Sequence, residues 1–272
     1  MTQENAGVVI IAKESNTVDY LKIAVWNAKR AQKYLGLPVT IITDSAAEID
    51  SSINVVRVPK VQARSRRKFP SHGEITHWNN AKRWEVCELT PYDRTLLIDA
   101  DYIINSDYLN SAMQASEDFL VFGKAFDVTG RGGIEELSTF GAFEIPLYWA
   151  TAIVFSNNDK AGLIFGVLEQ VENNYEHYAT IYKFEPRPFR NDYALSIALN
   201  LVNGLYPDGI PIMPWPLMTV LPEHKVTYQG DCAYTVRFVD DRPQYVMVTG
   251  QDLHIMGKAD LEAIIDGEHA DA

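Results

Sequence analysis

The first hundred residues of the chain alternate short apolar runs with segments of helical periodicity. Residues 7–12 are continuously apolar, which predicts a fully buried strand. Apolar side chains then recur at helical spacing from Leu21 to Leu35, and Gly36 followed by Pro38 predicts the end of that helix. The chain therefore opens with one predicted strand and one predicted helix.

Further apolar runs follow the first helix. Residues 39–44, 53–58 and 95–98 have the composition of short buried strands, and a helical pattern spans residues 80–89. Because strands and helices alternate and the strands are apolar on both faces, we expect an α/β fold with a mixed, mainly parallel sheet between helices. Ligands of such sheets bind beyond the carboxyl ends of the strands, so we expect functional residues at that edge.

The second half of the chain has a less regular pattern. Residues 123–143 are rich in glycine and polar side chains, which predicts a long loop. Residues 149–155 predict another buried strand and residues 245–248 a late one, while residues 160–178 and 193–201 have helical periodicity. The strand and helix pattern thus continues with longer irregular connections.

Length and composition predict the domain organisation. The chain has 272 residues and is 47% hydrophobic, enough for one large core. We expect a single catalytic domain over residues 1–260 and an acidic tail over residues 261–272 that is disordered from Asp266. No stretch reaches the ~18 apolar residues of a membrane span, the amino terminus lacks a signal-peptide pattern, and Cys87 and Cys232 have no metal-ligand spacing. These observations favour a cytoplasmic protein without a membrane partner.

The charge pattern contains one local exception to an acidic background. The net charge of −12 argues against a domain that binds nucleic acid over its whole surface. One segment is nevertheless basic and contains no acid, and its cations are Arg57, Lys60, Arg64, Arg66, Arg67 and Lys68. One interpretation is a solvated loop. The other is an anion-binding loop that serves nucleotide phosphates or a polyanionic acceptor.

Two aspartates, Asp99 and Asp101, follow the apolar run at residues 95–98. If the backbone stays extended, both carboxylates lie on one side, because strand side chains repeat every two residues. Neighbouring carboxylates repel each other unless a cation lies between them, and hard oxygen ligands favour Mg²⁺ or Mn²⁺ completed by substrate phosphates. The pattern predicts a metal site. The alternative is a helix cap followed by a solvated turn residue.

A second motif, His254 followed three residues later by Gly257-Lys258, lies just after the late apolar run. Imidazole suits Mn²⁺ better than Mg²⁺, glycine permits a close approach of backbone to phosphate, and lysine offers that phosphate a positive charge. The alternative is a structural or merely exposed histidine. No GxGxxG fingerprint follows the first strand, and the chain has no Walker P-loop.

In this order, the strand, the Asp-x-Asp motif and the His-x-x-Gly-Lys motif resemble the glycogenin-like family of GT-A nucleotide-sugar glycosyltransferases. The resemblance extends from Gly7 to Lys258 and implies a GT-A (Rossmann-like) fold. It implies that Asp99, Asp101 and His254 hold Mn²⁺, or Mg²⁺, on a nucleoside diphosphate whose pyrophosphate contacts Lys258. It further implies that the donor is bound by Ala12, Lys13, Asp44, Lys82 or Arg83, Ala100, and Gly257.

The resemblance also implies catalytic residues. Asn191 and Asp192 resemble the acidic motif of the family that meets the donor sugar or the acceptor. Asp192 could orient the sugar, act as a base, or approach the anomeric carbon, and the alternative is an N-cap for the helix that follows. Residues 149–152 replace the Asn-Ser-Gly-type strand that usually lines the sugar pocket, so the sugar contacts expected there differ from the family pattern.

The spellings at residues 189–194 and 149–151 also resemble a group of tailed-phage proteins, some relatives of which glycosylate hydroxymethylated cytosine in phage DNA. The expected function is metal-dependent transfer of a hexosyl or pentosyl group from a nucleoside-diphosphate sugar, most simply a UDP-sugar. The acceptor hydroxyl belongs either to 5-hydroxymethylated cytosine in DNA or to a saccharide or small molecule. A phage-encoded protein would act in the host cytoplasm.

Two other functions compete with glycosyl transfer. A nucleotidyltransferase also pairs carboxylates around Mg²⁺ on an α/β sheet, but it normally carries a Gly-rich phosphate loop near the first strand, which this sequence lacks. A non-catalytic nucleotide-binding module would leave Asp99, Asp101 and His254 with structural roles. Metal-dependent binding of UDP distinguishes the enzymes from the module.

Overall fold

The computed structural model describes residues 5–60, 65–68, 75–78, 81–131, 133–185, 189–206, 209–230 and 232–270. The first strand and helix form where the patterning predicts them, as β1 (Ala6–Ile11) and α1 (Tyr20–Leu35). The carboxylate of Asp19 caps α1 by accepting the Lys22 amide at 2.9 Å. Gly36 ends the helix in the left-handed region at a φ of 68°, as its sequence position predicts.

The remaining elements follow in chain order. The further strands are β2 Val39–Thr43, β3 Asn54–Arg57, β4 Ser65–Lys68, β5 Ile75–Trp78, β6 Arg94–Asp99, β7 Tyr102–Ile103, β8 Phe119–Phe122, β9 Ala125–Asp127, β10 Thr139–Phe140, β11 Ile145–Pro146, β12 Trp149–Ser156, β13 Leu217–Val220, β14 Lys225–Gly230, β15 Ala233–Val239, β16 Pro243–Thr249 and β17 Leu253–Ile255. The further α-helices are α2 Val86–Leu89, α3 Leu109–Met113, α4 Asp159–Asn173, α5 Tyr175–Tyr182, α6 Asn191–Val202 and α7 Lys258–Ala270. Short 3₁₀ helices occupy Arg83–Glu85 and Ile134–Glu136.

The central sheet, within the described residues, has six strands in the order β3-β2-β1-β6-β12-β8. Strands β3, β2, β1 and β6 run parallel, while β12 is antiparallel to both β6 and β8. Consecutive residues of β6 from Thr95 to Ile98 are all fully buried, so both faces of the sheet are covered. Helix α1 packs against β1 and β2, and α6 packs against β12. The predicted α/β class with a mixed, mainly parallel sheet and helices is confirmed.

A smaller sheet joins β7, β17, β13 and β9 in that order. Strand β17 is antiparallel to β7, with His254 opposite Tyr102, and parallel to β13, with His254 opposite Thr219. Because β7 follows directly after the turn at the end of β6, this sheet carries a segment from near residue 254 to the carboxyl edge of the central sheet. That juxtaposition creates the candidate site.

Several local predictions differ from the structure. The predicted loop at residues 123–143 contains β9 and the first half of a small antiparallel pair, β10 with β11. The predicted helix at residues 80–89 is shorter, consisting of the 3₁₀ turn and α2. The predicted helix at residues 160–178 is two helices, because Asn174 separates α4 from α5. The late strand predicted at residues 245–248 lies within β16, but the two antiparallel strands that precede it, β14 and β15, were not predicted.

The carboxyl-terminal segment also differs from its prediction as an acidic tail beginning at residue 261. Helix α7 continues to Ala270, and its side chains Leu261, Ile264 and Ile265 are buried in the core. The apolar positions recur every three to four residues and therefore form one buried stripe of a helix. Residues 271–272 lie outside the described residues. No helix within the described ranges is both long and apolar enough to cross a membrane.

Candidate metal and nucleotide site

The turn after β6 carries the Asp-x-Asp motif. Asp99 is the last residue of β6, and the chain turns through Ala100 and Asp101 before it enters β7. The condition of an extended backbone through Asp101 is therefore not met. The Asn27 side chain in α1 stabilises the turn by donating to the Tyr102 carbonyl at 2.7 Å. Ala100 is buried in this turn, so its side chain offers no exposed surface to the site.

Strand β17 brings His254 to the two aspartates. The Ile255 amide donates to the Asp101 carbonyl at 3.0 Å, which sets the register of β17 against the turn. His254 Nε2 lies 3.6 Å from Asp101 Oδ2. One ligand atom from each of Asp99, Asp101 and His254 can be chosen so that all lie within 4.8 Å of one another. The structure thus brings together the three predicted metal-binding side chains, although His254 follows the two aspartates by about 150 residues in the sequence.

This donor set fits a divalent cation. Oxygen ligands bind Mg²⁺ at about 2.1 Å, so two atoms that share one ion lie at most about 4.2 Å apart. The ligand atoms here lie within 4.8 Å of one another, so the widest separation would shorten by roughly half an ångström or more when the ion binds. Burial lowers the pKa of His254, although the charges of Asp99 and Asp192 oppose that shift. A lowered pKa keeps the imidazole neutral, the form that binds metals. His254 Nδ1 is buried and has no partner among the described residues.

Two buried cations contact the aspartates. Arg83 pairs with Asp99 through Nη1, and its Nη2 donates to the Ala150 carbonyl at 2.6 Å. Lys258, the first residue of α7, pairs with Asp101 Oδ2 and donates to the Ile255 carbonyl at 3.2 Å. Each carboxylate of the motif therefore has its own protein cation, and charge-assisted bonds of this kind are stronger than neutral ones.

The backbone of Ala150 connects Arg83 to Asp192. The Ala150 amide donates to Asp192 Oδ1 at 3.0 Å, while its carbonyl accepts the bond from Arg83. The pairing of β12 with β8 shifts register between Trp149 and Ile153, and such bulges redirect the backbone near active sites. The residues that replace the Asn-Ser-Gly-type pattern thus contribute a peptide group to the site.

Asn191 and Asp192 are the first two residues of α6. Arg190 is the N-cap residue, so the alternative interpretation of Asp192 as an N-cap is wrong. Arg190 Nη2 instead pairs with Asp192 Oδ2 at 3.1 Å and lies over the Tyr193 ring, with 4.7 Å between the guanidinium carbon and the ring centroid. Asp192 is therefore oriented by one hydrogen bond on each of its two oxygens.

The residues predicted to meet the nucleoside lie at the ends of β1 and β2. Ala12 and Lys13 follow β1 and are buried. The Lys13 ammonium donates to the Ala81 carbonyl at 2.8 Å, and burial lowers its pKa. Asp44 follows β2, and its Oδ1 accepts the Glu14 amide at 2.7 Å. Lys13 therefore has a structural partner, while Asp44 and Ala12 remain at the predicted sheet edge.

The structure distinguishes between the two basic residues that precede α2. Lys82 has a left-handed backbone with a φ of 65°, and its ammonium pairs with Glu85 at 2.9 Å. Arg83 is the residue that reaches the Asp-x-Asp motif, through Asp99. Of the two alternatives that the sequence left open, Arg83 lies in the site.

Gly257 lies between β17 and α7 and borders a surface pocket. The lining residues are Pro222, Glu223, His224, Lys225, Gly257, Ala259 and Asp260. A Cβ atom at Gly257 would approach its nearest neighbours, Asp260 Oδ2 and the His224 carbonyl, only to 3.9 Å, which is an ordinary contact. Packing among the described residues therefore does not require glycine here, and a close approach by a ligand remains the proposed reason for it.

The basic segment is partly used within the fold. Arg57 donates to the carbonyls of Ser45 and Ala47, and Lys60 pairs with Glu14. These two residues have partners within the fold, and Arg57 lies on strand β3, so they do not support the anion-binding interpretation for their part of the segment. Arg66, Arg67 and Lys68 lie on β4, which pairs with β5 in an antiparallel hairpin, and Arg64 lies outside the described residues.

Sequence reasoning missed Arg190 and the function of the Ala150 peptide. Ala150 acts through its backbone atoms and on partners that are distant along the chain, so no residue-type pattern could have revealed its function. Arg190 stands beside Asn191 and Asp192, and a cation next to an acidic motif is the one signal that could have suggested an ion pair.

Comparisons with known proteins return solved structures at low sequence identity. The glycosyltransferase GlyE of Streptococcus pneumoniae TIGR4 is 11% identical, with a TM-score of 0.44 over 76% of this chain and 45% of GlyE. The galactosyltransferase LgtC, solved with donor and acceptor sugar analogues, is 13% identical, with a TM-score of 0.45 over 76% of this chain and 72% of LgtC. A putative glucose-1-phosphate thymidylyltransferase from Bacillus anthracis is 11% identical, with a TM-score of 0.35 over 75% of this chain and 96% of the thymidylyltransferase.

This chain thus spans less than half of the length of GlyE. No family model matches the sequence, and no curated protein matches it either. At these identities and TM-scores the similarities do not assign an activity, so the functional conclusion depends on the site itself.

Proposed function

We propose that this chain is a metal-dependent glycosyltransferase of the GT-A type. It would transfer a hexosyl or pentosyl group from a nucleoside-diphosphate sugar, most simply a UDP-sugar, to a hydroxyl acceptor. The observation that carries the proposal is the convergence of Asp99, Asp101 and His254 within 4.8 Å, beside Lys258. Two carboxylates, one imidazole and a lysine suit Mn²⁺ or Mg²⁺ bound together with a diphosphate.

The chemistry of the transfer requires such a set of groups. The bond between the anomeric carbon and the phosphate oxygen breaks, and negative charge builds on the departing nucleoside diphosphate. A divalent cation, when bound, stabilises that charge as a Lewis acid. Lys258 adds a positive charge to the same group, and Arg83 keeps Asp99 oriented through the Ala150 carbonyl.

Asp192 is the proposed catalytic carboxylate, with Asn191 beside it. Asp192 lies close enough to His254 for its charge to oppose the lowering of the His254 pKa. Its two oxygens are held by the Ala150 amide and by Arg190, and a side chain fixed in this way can meet a substrate in one geometry. In that position it can orient the sugar, accept the proton of the acceptor hydroxyl, or approach the anomeric carbon.

Two acceptors remain under this proposal, a modified base in DNA and a saccharide or small hydroxylated molecule. The support for DNA is the hairpin of β4 and β5, in which strand β4 carries Arg66, Arg67 and Lys68 opposite His77, Thr76 and Ile75. Antiparallel ribbons with basic residues are one of the known ways of contacting DNA. The net charge of −12 favours the uncharged acceptor.

Isothermal calorimetry with UDP tests the site directly. Wild-type protein should bind UDP in the presence of Mn²⁺ and lose that affinity when EDTA removes the metal. Asp99→Asn and Asp101→Asn should each weaken metal-dependent binding at least tenfold, since even the loss of groups that only support metal ligands costs about 10–100-fold. Asp107→Asn, at an exposed position outside the site, is the matched control and should leave binding unchanged.

An activity screen then separates the rival functions. Thermal-shift measurements with Mn²⁺ and a panel of nucleotide sugars identify the donor, because a ligand bound to the native state raises the melting temperature. Release of UDP from that donor with an added acceptor supports glycosyl transfer. Release of pyrophosphate from a nucleoside triphosphate and a sugar phosphate would instead identify a nucleotidyltransferase. Nucleotide binding that does not depend on metal, together with no turnover in either assay, would identify a binding module.

A further inference from the structure

Lys258 and Arg83 each neutralise one carboxylate of the proposed metal site, but in different surroundings. Arg83 is fixed at two points, since one terminal nitrogen contacts Asp99 and the other donates to the Ala150 carbonyl at 2.6 Å. Lys258 contacts both Asp101 and, at 3.2 Å, the Ile255 carbonyl through one ammonium at the end of a four-carbon stem. A planar guanidinium in two bonds is constrained in direction, whereas an ammonium on a flexible stem can rotate to another acceptor.

The two positive charges of Arg83 and Lys258 balance the two negative charges of their partners, Asp99 and Asp101. The pair of Lys258 with Asp101 is buried, with side-chain exposures of 8% and 9%, so water screens it weakly. A divalent cation held by the two aspartates would add two uncompensated positive charges to this buried group. Lys258 contacts Asp101 through Oδ2, and His254 Nε2 lies 3.6 Å from the same oxygen. A cation bound by Asp101 through this oxygen would therefore compete with the Lys258 ammonium.

We propose that Lys258 competes with the divalent cation for Asp101, and that it moves from Asp101 to the diphosphate of the donor when cation and donor bind together. This inference rests on the proposed function. The two negative charges of a UDP-sugar diphosphate compensate the two positive charges of the cation, and the diphosphate offers the displaced ammonium a new partner. Lys258 thereby couples the binding of the metal to the binding of the donor, and that coupling is reciprocal.

Competition between Lys258 and the cation has an unusual consequence for a lysine in a metal site. Removal of the Lys258 charge should strengthen the binding of Mn²⁺ in the absence of nucleotide, because a competitor is lost, and should weaken the binding of UDP in the presence of Mn²⁺. A lysine that only supports the fold of the turn would produce the opposite first result, since its loss would disorder Asp101 and weaken the metal site.

Titrations of Mn²⁺ followed by electron paramagnetic resonance test this prediction without any activity assay. In the wild type, saturating UDP should tighten Mn²⁺ binding by roughly 10–100-fold, a usual range for coupled ligands. Lys258→Met should bind Mn²⁺ alone about tenfold more tightly than wild type, and UDP should then tighten it much less. Lys258→Arg keeps the charge and should behave like wild type with Mn²⁺ alone.

Lys29→Met provides the matched control, because Lys29 is an exposed lysine that is paired with Asp50, outside the site. It should change neither titration. Lys258→Gln, which retains a donor for the Ile255 carbonyl, repeats the test if Lys258→Met fails to fold. Equal affinity of the wild type for Mn²⁺ with and without UDP would overturn the inference without any variant, as would a charge-neutral variant that binds Mn²⁺ more weakly. A wild type that binds no Mn²⁺ under either condition would instead refute the proposed function.

Discussion

The carboxylate of Asp192 accepts a hydrogen bond from the backbone amide of Ala150 at 3.0 Å. The carbonyl of the same residue is bound by Arg83, which also pairs with Asp99. The backbone of one residue in a bulged strand thus lies between the proposed catalytic carboxylate and the proposed metal site. The N–H and the C=O of Ala150 connect Asp192 to Arg83 and, through Arg83, to Asp99.

The variants Asp192→Asn and Asp192→Ala separate chemistry from orientation. Asn retains an oxygen for the Ala150 amide but loses the charge that Arg190 pairs with. If Asp192 acts in the reaction, we expect Asn to lower the rate of UDP release by about 10²–10⁴-fold, with little change in Mn²⁺-dependent UDP binding. Ala should have the same effect on the rate and should also lower the melting temperature, because a buried amide loses its acceptor. A fully active Asn variant would exclude a reacting carboxylate.

The variants of Arg83 test its function in positioning Asp99. Arg83→Met removes the partner of Asp99 and the donor of the Ala150 carbonyl, and we expect it to lower the free energy of unfolding by about 1.5–3 kcal/mol, the range for hydrogen bonds to charged groups. Arg83→Lys keeps the charge but cannot make both bonds in the same geometry, so its loss should be intermediate. Urea denaturation in EDTA measures both values. Equal stability of the wild type and the Met variant would contradict the positioning function.

His254 sets the expected choice of metal. Imidazole favours Mn²⁺ over Mg²⁺, whereas carboxylates bind both. His254→Ala should therefore weaken Mn²⁺ binding more than Mg²⁺ binding, and the ratio of the two dissociation constants should move toward one. The exposed His177 provides the control, since its replacement by alanine should leave the ratio unchanged. Competition titrations with both metals in the presence of UDP measure this ratio, and an unchanged ratio in His254→Ala would remove His254 from the ligand set.

Arg66 and Arg67 lie on strand β4 and are the residues proposed to contact DNA if DNA is the acceptor. If the acceptor is DNA, activity should fall steeply with salt, because binding releases counterions from the phosphates. The double variant Arg66→Gln and Arg67→Gln should then lower the slope of the logarithm of affinity against the logarithm of salt by about 2. A matched change at Arg57 and Lys60, which have partners within the fold, should affect the slope less. Activity that is independent of salt would favour a saccharide or small-molecule acceptor.

The first strand depends on a glycine for its packing. A Cβ atom on Gly7 would lie only 2.3–2.5 Å from the ring of Tyr92, and that buried ring is fixed by a hydrogen bond of 2.8 Å to Thr40. Gly7→Ala should therefore lower the free energy of unfolding by about 1–3 kcal/mol or more. Gly166→Ala, in the exposed middle of α4 with no neighbour within 4 Å, should instead raise it by up to about 1 kcal/mol. Thermal unfolding of the two variants measures both effects.

Local patterns in the chain were sufficient to predict much of the central sheet. The apolar runs correspond to β1, β2, β6 and β12, and Gly36 ends α1 as expected. These predictions succeed because burial of a strand and termination of a helix depend on a few consecutive residues. Of the strands β14, β15 and β16, only the last was predicted. Many of their positions face solvent, so the apolar pattern that would reveal a strand is weak.

The candidate chemistry was readable in the residue types, but its geometry was not. Asp99, Asp101, His254 and Lys258 form recognisable motifs, and each could be named from the chain alone. Their meeting requires β17 to pair with β7 in one register, and no local pattern specifies which strands become neighbours. The identity of each partner is also a long-range property, since Lys258 and Asp101 are 157 residues apart and Asp192 binds a peptide 42 residues earlier. Residue chemistry is carried by single positions, whereas contact between distant positions follows from the packing of the whole chain.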